Sequence, residues 1–413
     1  MTNKSESTTT FDEVLVSEEF LSDPYPVLRR LRDDDPVHWS PSIGGWVLTK
    51  YDDIISTFKN TERYSNEGRL ARAVEYLPAE SRLRLRTFEE HYRTKGLLHS
   101  DPPDHTRLRK LVTKAFTPRL IDAMRPRIQE IVDELLEVGL CNGGMDVIPD
   151  LAVALPITVL AEILGAPLSD RSLFKRWADS LLAFQGINKP QQNVLECAQA
   201  TLIEIKAYLV DLVAEVRSRP GKDLISELVK AESEGDKLSE AELLNTCITL
   251  LVAGHETTTS LIGNGTYLLL SHAQQWNRLK SEPSLLSSAI EEILRYESPV
   301  ARQPRLMKQD AQLSGKHIKK EQVVFQMLNA ANRDPDYFAD PDTFDIERQQ
   351  NRHIAFGSGI HFCVGAILSR TEGQIVFDTL RNRAPSMRLV NDVPAWDLKK
   401  PNSRMLKTLP VMF

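Results

Sequence analysis

The sequence predicts a mainly α-helical fold with a small β-rich lobe, built as one domain over residues 11–413. Three observations predict it. Helical patterns dominate from about residue 105 to residue 300. After Pro299 the texture changes to short strand-like segments separated by turn clusters such as Asn332-Arg333-Asp334-Pro335. No repeat, low-complexity block or shift in composition marks a boundary inside the 413 residues, although the length alone admits two or three domains.

The elements follow in order. Residues 1–10 are polar, rich in Ser and Thr, and expected to be disordered. Pro24, Pro26, Pro36 and Pro41 punctuate the start, and Gly44-Gly45 leads into a strand-like run, Trp46–Thr49. The stretch from Glu67 to His99 sets Arg69, Arg72, Arg82, Arg84, Arg86 and Arg93 against Glu75, Glu80, Glu89 and Glu90. It reads as a partly helical, mobile lid whose charges form a solvated face or greet an anionic substrate. Ile121–Val138 has apolar spacings of three and four, and Gln191–Ser218 is a long amphipathic helix. Ser239 to Ser271 is longer still, opened by a capping box of Ser239 and Glu242. Glu282–Tyr296 is a further helix, stopped by Ser298-Pro299. His317–Gln326 and Leu406–Met412 read as strands, and a last helix runs from just after Cys363 to about Arg383.

Composition excludes several classes. Lys plus Arg number 51 and Asp plus Glu 57, a formal charge of −6, which argues against a general nucleic-acid binder. Four scattered cysteines, Cys141, Cys197, Cys247 and Cys363, make no disulfide framework and no CxxC. Leu151–Leu168, the most apolar stretch, contains Pro156 and Glu162. A membrane span needs about 20 largely uninterrupted apolar residues. A cytoplasmic protein with no membrane anchor is expected.

The chemistry concentrates in Phe356-Gly357-Ser358-Gly359-Ile360-His361-Phe362-Cys363-Val364-Gly365-Ala366. Gly357 and Gly359 permit positive φ in a tight turn, and Gly365 lets a bulky partner approach the backbone. A helix starting just after Cys363 places the sulfur at a helix N-terminus, which favours thiolate. Such a sulfur suits a redox metal ligand or a nucleophile; a small buried hydrophobe is the plainer reading of a free cysteine. A zinc site from His353, His361 and Cys363 lacks a fourth ligand. In mid-helix, Gly254 costs about 1 kcal/mol relative to Ala. Thr257 can bond the Ala253 carbonyl, and together they predict a local kink or widened turn. Glu256 beside Thr257 could pass protons into a buried pocket, or be a polar cluster of structural use. Glu292 and Arg295, three apart, share a helix face, as do His105 and Arg109, four apart. Both pairs are also common on solvated surfaces.

Asp101-Pro-Pro-Asp-His105, Ala253-Gly-His-Glu-Thr-Thr258, Glu292-x-x-Arg295 and Phe356-Gly-x-Gly-x-His-x-Cys363-x-Gly365 occur in the order and rough spacing of the cytochrome P-450 haem-thiolate monooxygenases. The chain resembles the soluble bacterial type of that family from about residue 20 onward. The resemblance implies the family fold, a triangular prism of about a dozen helices around a buried haem b. Cys363 would be the axial ligand to the iron, an electron-donating thiolate that favours O–O cleavage. Phe356 and Gly365 would lie against the haem, and His105, Arg109, Arg305 and His361 would hold its propionates. Glu292 and Arg295 would be structural, tying their helix to the loop before the cysteine. Glu256 and Thr257 would deliver protons during oxygen activation; Glu256 stands where Asp is commoner, and Ser369-Arg370 where Ala-Arg is commoner. Leu250, Ala253, Val300, Ala301 and Gln303 would line the substrate pocket.

The implied activity inserts one atom of dioxygen into a hydrophobic small molecule, by hydroxylation or epoxidation. Electrons would come from NAD(P)H. With about 50 residues after Cys363, no fused reductase is expected, so a separate ferredoxin or flavodoxin and its reductase would supply them. Their acidic face would dock on Arg107, Lys110, Lys114 and Arg352. A peroxide-driven peroxygenase or a non-catalytic haem-binding sensor are the alternatives.

Overall fold

Each long helix buries one apolar stripe, and nine of them frame the site: α1 (Arg86–Arg93), α2 (Asp104–Ala115), α3 (Pro118–Asn142), α4 (Ala154–Leu164), α5 (Arg171–Leu182), α6 (Gln192–Ser218), α7 (Glu240–Ser271), α8 (Leu286–Tyr296) and α9 (Ala366–Arg383). The computed structural model describes residues 11–413 except 222 and 234–237, so the ten residues expected to be disordered lie outside the described residues. The structure is mainly helical with small sheets. The largest sheet has the order β1-β2-β5-β4-β3, where β1 is Val37–Ser40, β2 Gly45–Leu48, β3 Tyr64–Ser65, β4 Arg302–Met307 and β5 Val323–Met327. Its β2–β5 pair is parallel and the other three are antiparallel. Side chains alternate along β4, so Gln303 and Arg305 share one face while Arg302 and Pro304 take the other.

The central element is α7. Its start carries the predicted capping box: Ser239 Oγ accepts from the Glu242 N–H at 3.3 Å, and Glu242 Oε2 accepts from the Ser239 N–H at 2.9 Å. At Gly254 and Thr257, where a local kink or widened turn is expected, the chain stays helical. Thr257 Oγ1 does donate to the Ala253 carbonyl at 3.0 Å, yet the helix runs unbroken from Glu240 to Ser271. Close packing explains the glycines instead. A Cβ on Gly254 would lie 3.0 Å from Leu160 of α4, and one on Gly265 would lie 2.4 Å from Phe377 of α9.

Two other sequence expectations shift. His317–Gln326 divides into Lys316–Ile318, which pairs with Ala311–Leu313, and β5 in the main sheet. The turn between them carries Glu321 at φ +69°, a conformation no strand accommodates. The helix expected from Glu282 begins at Leu286, after a 3₁₀ turn opened by Pro283.

Glu292 and Arg295 of α8 are wholly buried. Arg295 Nε and Nη2 donate to the Glu292 carboxylate at 2.7 and 2.8 Å. The remaining guanidinium hydrogens go to the carbonyls of Asn332, Pro341 and Thr343. Glu292 also accepts from the Asp345 N–H, Arg348 and Asn351. One ion pair thus fixes the irregular chain from 332 to 351, which feeds into the cysteine loop.

Breaking a buried pair from one side costs about 3–5 kcal/mol, because the other charge stays behind. Arg295→Ala is expected to lose stability on that scale in urea unfolding, and Glu292→Gln/Arg295→Met to lose less. An Arg295→Ala protein as stable as the wild type would contradict this account.

Candidate active site

Gly357 and Gly359 lie at φ +70° and +69°, and their turn brings the Cys363 N–H back to the Phe356 carbonyl at 3.0 Å. A side chain on Gly359 is also barred by space, since its Cβ would sit 2.6 Å from the Phe58 carbonyl. Gly365 is the N-cap of α9, so the sulfur does stand at a helix N-terminus. A Cβ on Gly365 would meet only that sulfur, at 3.9 Å, which leaves the face beside it open. The thiolate expected at this position is opposed by burial, which pushes the Cys363 thiol up; the Gly365 N–H, Arg109 and Arg370 act the other way.

Behind the loop, Arg370 packs its guanidinium 4.5 Å from the Phe356 ring centroid and forms two 2.7 Å bonds to Glu291. Glu291 also meets His353 at 3.0 Å. His353 is therefore engaged away from the sulfur. No group of three or more His, Cys, Asp or Glu side chains able to hold a metal gathers among the described residues.

Around the sulfur the structure collects basic side chains. α2 carries His105 and Arg109 one turn apart, and the His105 ring lies 4.2 Å from that of His361. Arg305, from β4, donates only to neutral acceptors, Pro304 O at 3.0 Å and Gln303 Oε1 at 3.3 Å, and lies over Phe58. His105 Nε2 is buried without a partner. Burial pushes His105 down, with Arg109 adding to it. His361 falls to about 3, through burial first and then His105, Arg305 and Arg109. Burial takes Arg305 to about 9. Asp101, the carboxylate that raises His105 and Arg305, is already bonded to Ser65 (2.6 Å), the Asn66 N–H (3.3 Å) and Lys308 (3.3 Å). Four basic residues thus meet without an anion of their own, the arrangement a ligand bearing two carboxylates would complete.

A cavity of about 80 Å³ lies between α1, α5 and α7. Of the residues named for the substrate pocket, Ala253 lines this cavity and Leu250 does not. At 100° per residue Leu250 turns into the apolar core, and Ile248, Thr249 and Val252 present themselves instead. Val300, Ala301 and Gln303 lie outside its wall: Val300 bridges to Ser403, the Ala301 N–H donates to Asn402 O at 2.8 Å, and Gln303 serves Arg305. His91, Tyr92 and His99, all on this wall, belong to the 67–99 segment expected to form the lid. Burial holds both histidines near 3, hence neutral.

Thr257 is half-buried and Glu256 is buried. The Glu256 carboxylate accepts from Lys400 Nζ at 2.7 Å and from the Ser403 hydroxyl. Further along, both oxygens of Glu372 on α9 are buried without a partner, and burial pushes that carboxyl up to about 8 from 4.5, with Thr258 opposing. Between those two values the folded protein keeps a proton that the unfolded chain releases, so stability falls as pH rises, by at most about 1.4 kcal/mol per pH unit. Glu372→Gln is expected to remove that slope, its stability relative to wild type growing with pH across the window. Parallel stability–pH curves for the two proteins would refute the assignment.

The cytochrome P450 family pattern matches residues 171–382. A cytochrome P450 of Bacillus subtilis (strain 168) is 40% identical over 421 residues, covering 100% of both chains. The crystal structure of P450BioI in complex with hexadec-9Z-enoic acid ligated acyl carrier protein superposes with a TM-score of 0.87, at 36% identity, covering 96% of this chain and 100% of that one. CYP109E1 from Bacillus megaterium in complex with testosterone gives 0.86 at 34% identity, covering 96% and 99%. With its fold, its cysteine loop and relatives matched along their whole length, this chain belongs to the cytochrome P450 family of monooxygenases.

Proposed function

We propose that the protein oxygenates a hydrophobic small molecule, drawing electrons from NAD(P)H through a separate ferredoxin or flavodoxin and its reductase. The observation that carries the reading is the meeting, in one place, of the Cys363 sulfur and basic side chains that lack an anion. Family members bind haem. Here Cys363 would hold the iron, Phe356 and Gly365 would border the ring, and His105, Arg109, Arg305 and His361 would take the propionates. When bound, the haem supplies the activation of dioxygen, one atom going to the substrate and the other to water at the expense of two electrons and two protons.

The chain's own residues then have distinct tasks. Ala253, Val252 and Thr249 present a mostly apolar wall that orients substrate and excludes water. Glu256, bonded to Lys400 and Ser403, would relay protons with Thr257 toward the cavity. Fatty-acyl and steroid ligands appear in the names of the similar structures, and a substrate of that apolar kind suits this wall. Among the described residues no helix is long and apolar enough to cross a membrane.

For the electron donor, Arg107 serves poorly as a docking cation, because it is engaged with Glu242 at the start of α7. Lys110, Lys114 and Arg352 are exposed and carry the docking reading. Charge reversal at Lys114 and Arg352 is expected to slow reduction by about tenfold at low salt, with the deficit shrinking as salt screens it. Reduction at the wild-type rate would remove that surface from consideration. The function itself is tested by spectrum and turnover. The reduced protein under carbon monoxide should give the strongly red-shifted Soret band of a thiolate ligand, lost in Cys363→Ala. It should form product with NAD(P)H and a reconstituted redox pair. A band that survives Cys363→Ala, or NAD(P)H consumption that never yields product, would overturn the reading.

A further inference from the structure

We propose that Arg69, at the start of the 67–99 segment, completes the carboxylate-binding cage beside Arg305 and so pins the lid to the haem's propionates. The inference rests on the propionate reading of His105, Arg109, Arg305 and His361.

Five of the six arginines in this segment behave as a solvated face should. Arg72, Arg82, Arg84, Arg86 and Arg93 pair with glutamates at or near the surface. Arg69 does not. Its Nε is buried with no hydrogen-bond partner, as is that of Arg82, but Arg82 reaches Glu89 while no ion pair to Arg69 is found among the described residues. The strand register brings the chain that precedes it close to Arg305. Ser65 of β3 lies opposite Leu306 of β4, next to Arg305, and Arg69 follows four residues later. The 3₁₀ turn Leu70–Val74, whose Leu70, Ala71 and Val74 are buried, anchors the backbone just beyond it.

Electrostatics agree with this placement. Burial takes Arg69 down to about 10, and Arg69 in turn lowers both Arg305 and His99. A guanidinium that repels its neighbours and has no acceptor is costly to bury unless a ligand supplies the anion. Tyr92 is the one group that favours its charge, and a phenol is a weak counterpart. Asp101, the carboxylate near Arg305, is occupied by Ser65, Asn66 and Lys308. A second acid group therefore has to come from outside the chain, and propionates would bring two.

The test compares holoenzyme carrying haem with holoenzyme reconstituted with haem dimethyl ester, reading the rate of haem loss to excess apomyoglobin. Arg69→Met is expected to lose haem about tenfold faster than wild type, and Arg69→Lys to recover part of that. With the ester the Arg69→Met and wild-type rates should converge. The thiolate-type carbon monoxide band should persist in both variants, separating a cage defect from loss of the Cys363 ligand. Wild-type haem loss in Arg69→Met, with the ester weakening wild type, overturns the Arg69 assignment alone. An ester that costs the wild type nothing overturns the propionate reading as well. If Arg69→Met keeps haem normally but no longer binds myristate, Arg69 reads a substrate carboxylate and the cage proposal fails. Should Arg69→Met not fold, the Arg69→Lys and ester arms still decide the question.

Discussion

The buried Glu292–Arg295 pair is the constraint on which the rest depends. Removing two opposite charges from water is costly unless every remaining hydrogen-bonding position is filled. Here the filling groups come from the irregular chain between Asn332 and Asn351 rather than from a neighbouring helix. Asn332 also accepts from the Ile354 N–H at 2.8 Å, and Ile354 accepts from the Gly357 N–H at 2.8 Å. The ion pair is thus connected by a short series of bonds to the glycine that opens the cysteine loop. A reactive sulfur in a loop needs support of this kind, since the loop has no ladder of its own to hold it.

The same low dielectric acts in the opposite sense a short distance away. At Glu292 and Arg295 charge is matched and locked. Around His361 positive groups are gathered and left unmatched, and each depresses its neighbours. A protein tolerates such a cluster where a bound anion completes it. The two arrangements differ in consequence: the matched pair holds the frame, and the unmatched cluster would be completed by a ligand's acid groups.

Much of this was legible in the sequence where the determinant is local. The capping box set the start of α7, Pro299 limited α8, and the glycines around Cys363 announced the turn that the structure contains. Determinants that depend on three-dimensional neighbours were not legible. Glu292 and Arg295 have the spacing of any exposed helix pair, and only tertiary burial sets them apart. Arg69 looks like its five companions in composition, yet packing turns it inward. The approach of Leu160 to Gly254, from another helix, has no mark in the local sequence either.

The acid next to Thr257 follows the same logic of distant support. Lys400 Nζ bridges Glu256 at 2.7 Å and Asp179 at 3.3 Å. Glu256 belongs to the central helix, Asp179 to α5, and Lys400 to a turn near the C-terminus. Leu181 and Leu182, just beyond Asp179 on α5, line the cavity. Asp179 and these lining residues therefore share one helix. Glu256 and Asp179 together raise the Lys400 pKa against its burial. One lysine thus ties the acid of the central helix to a helix that lines the cavity.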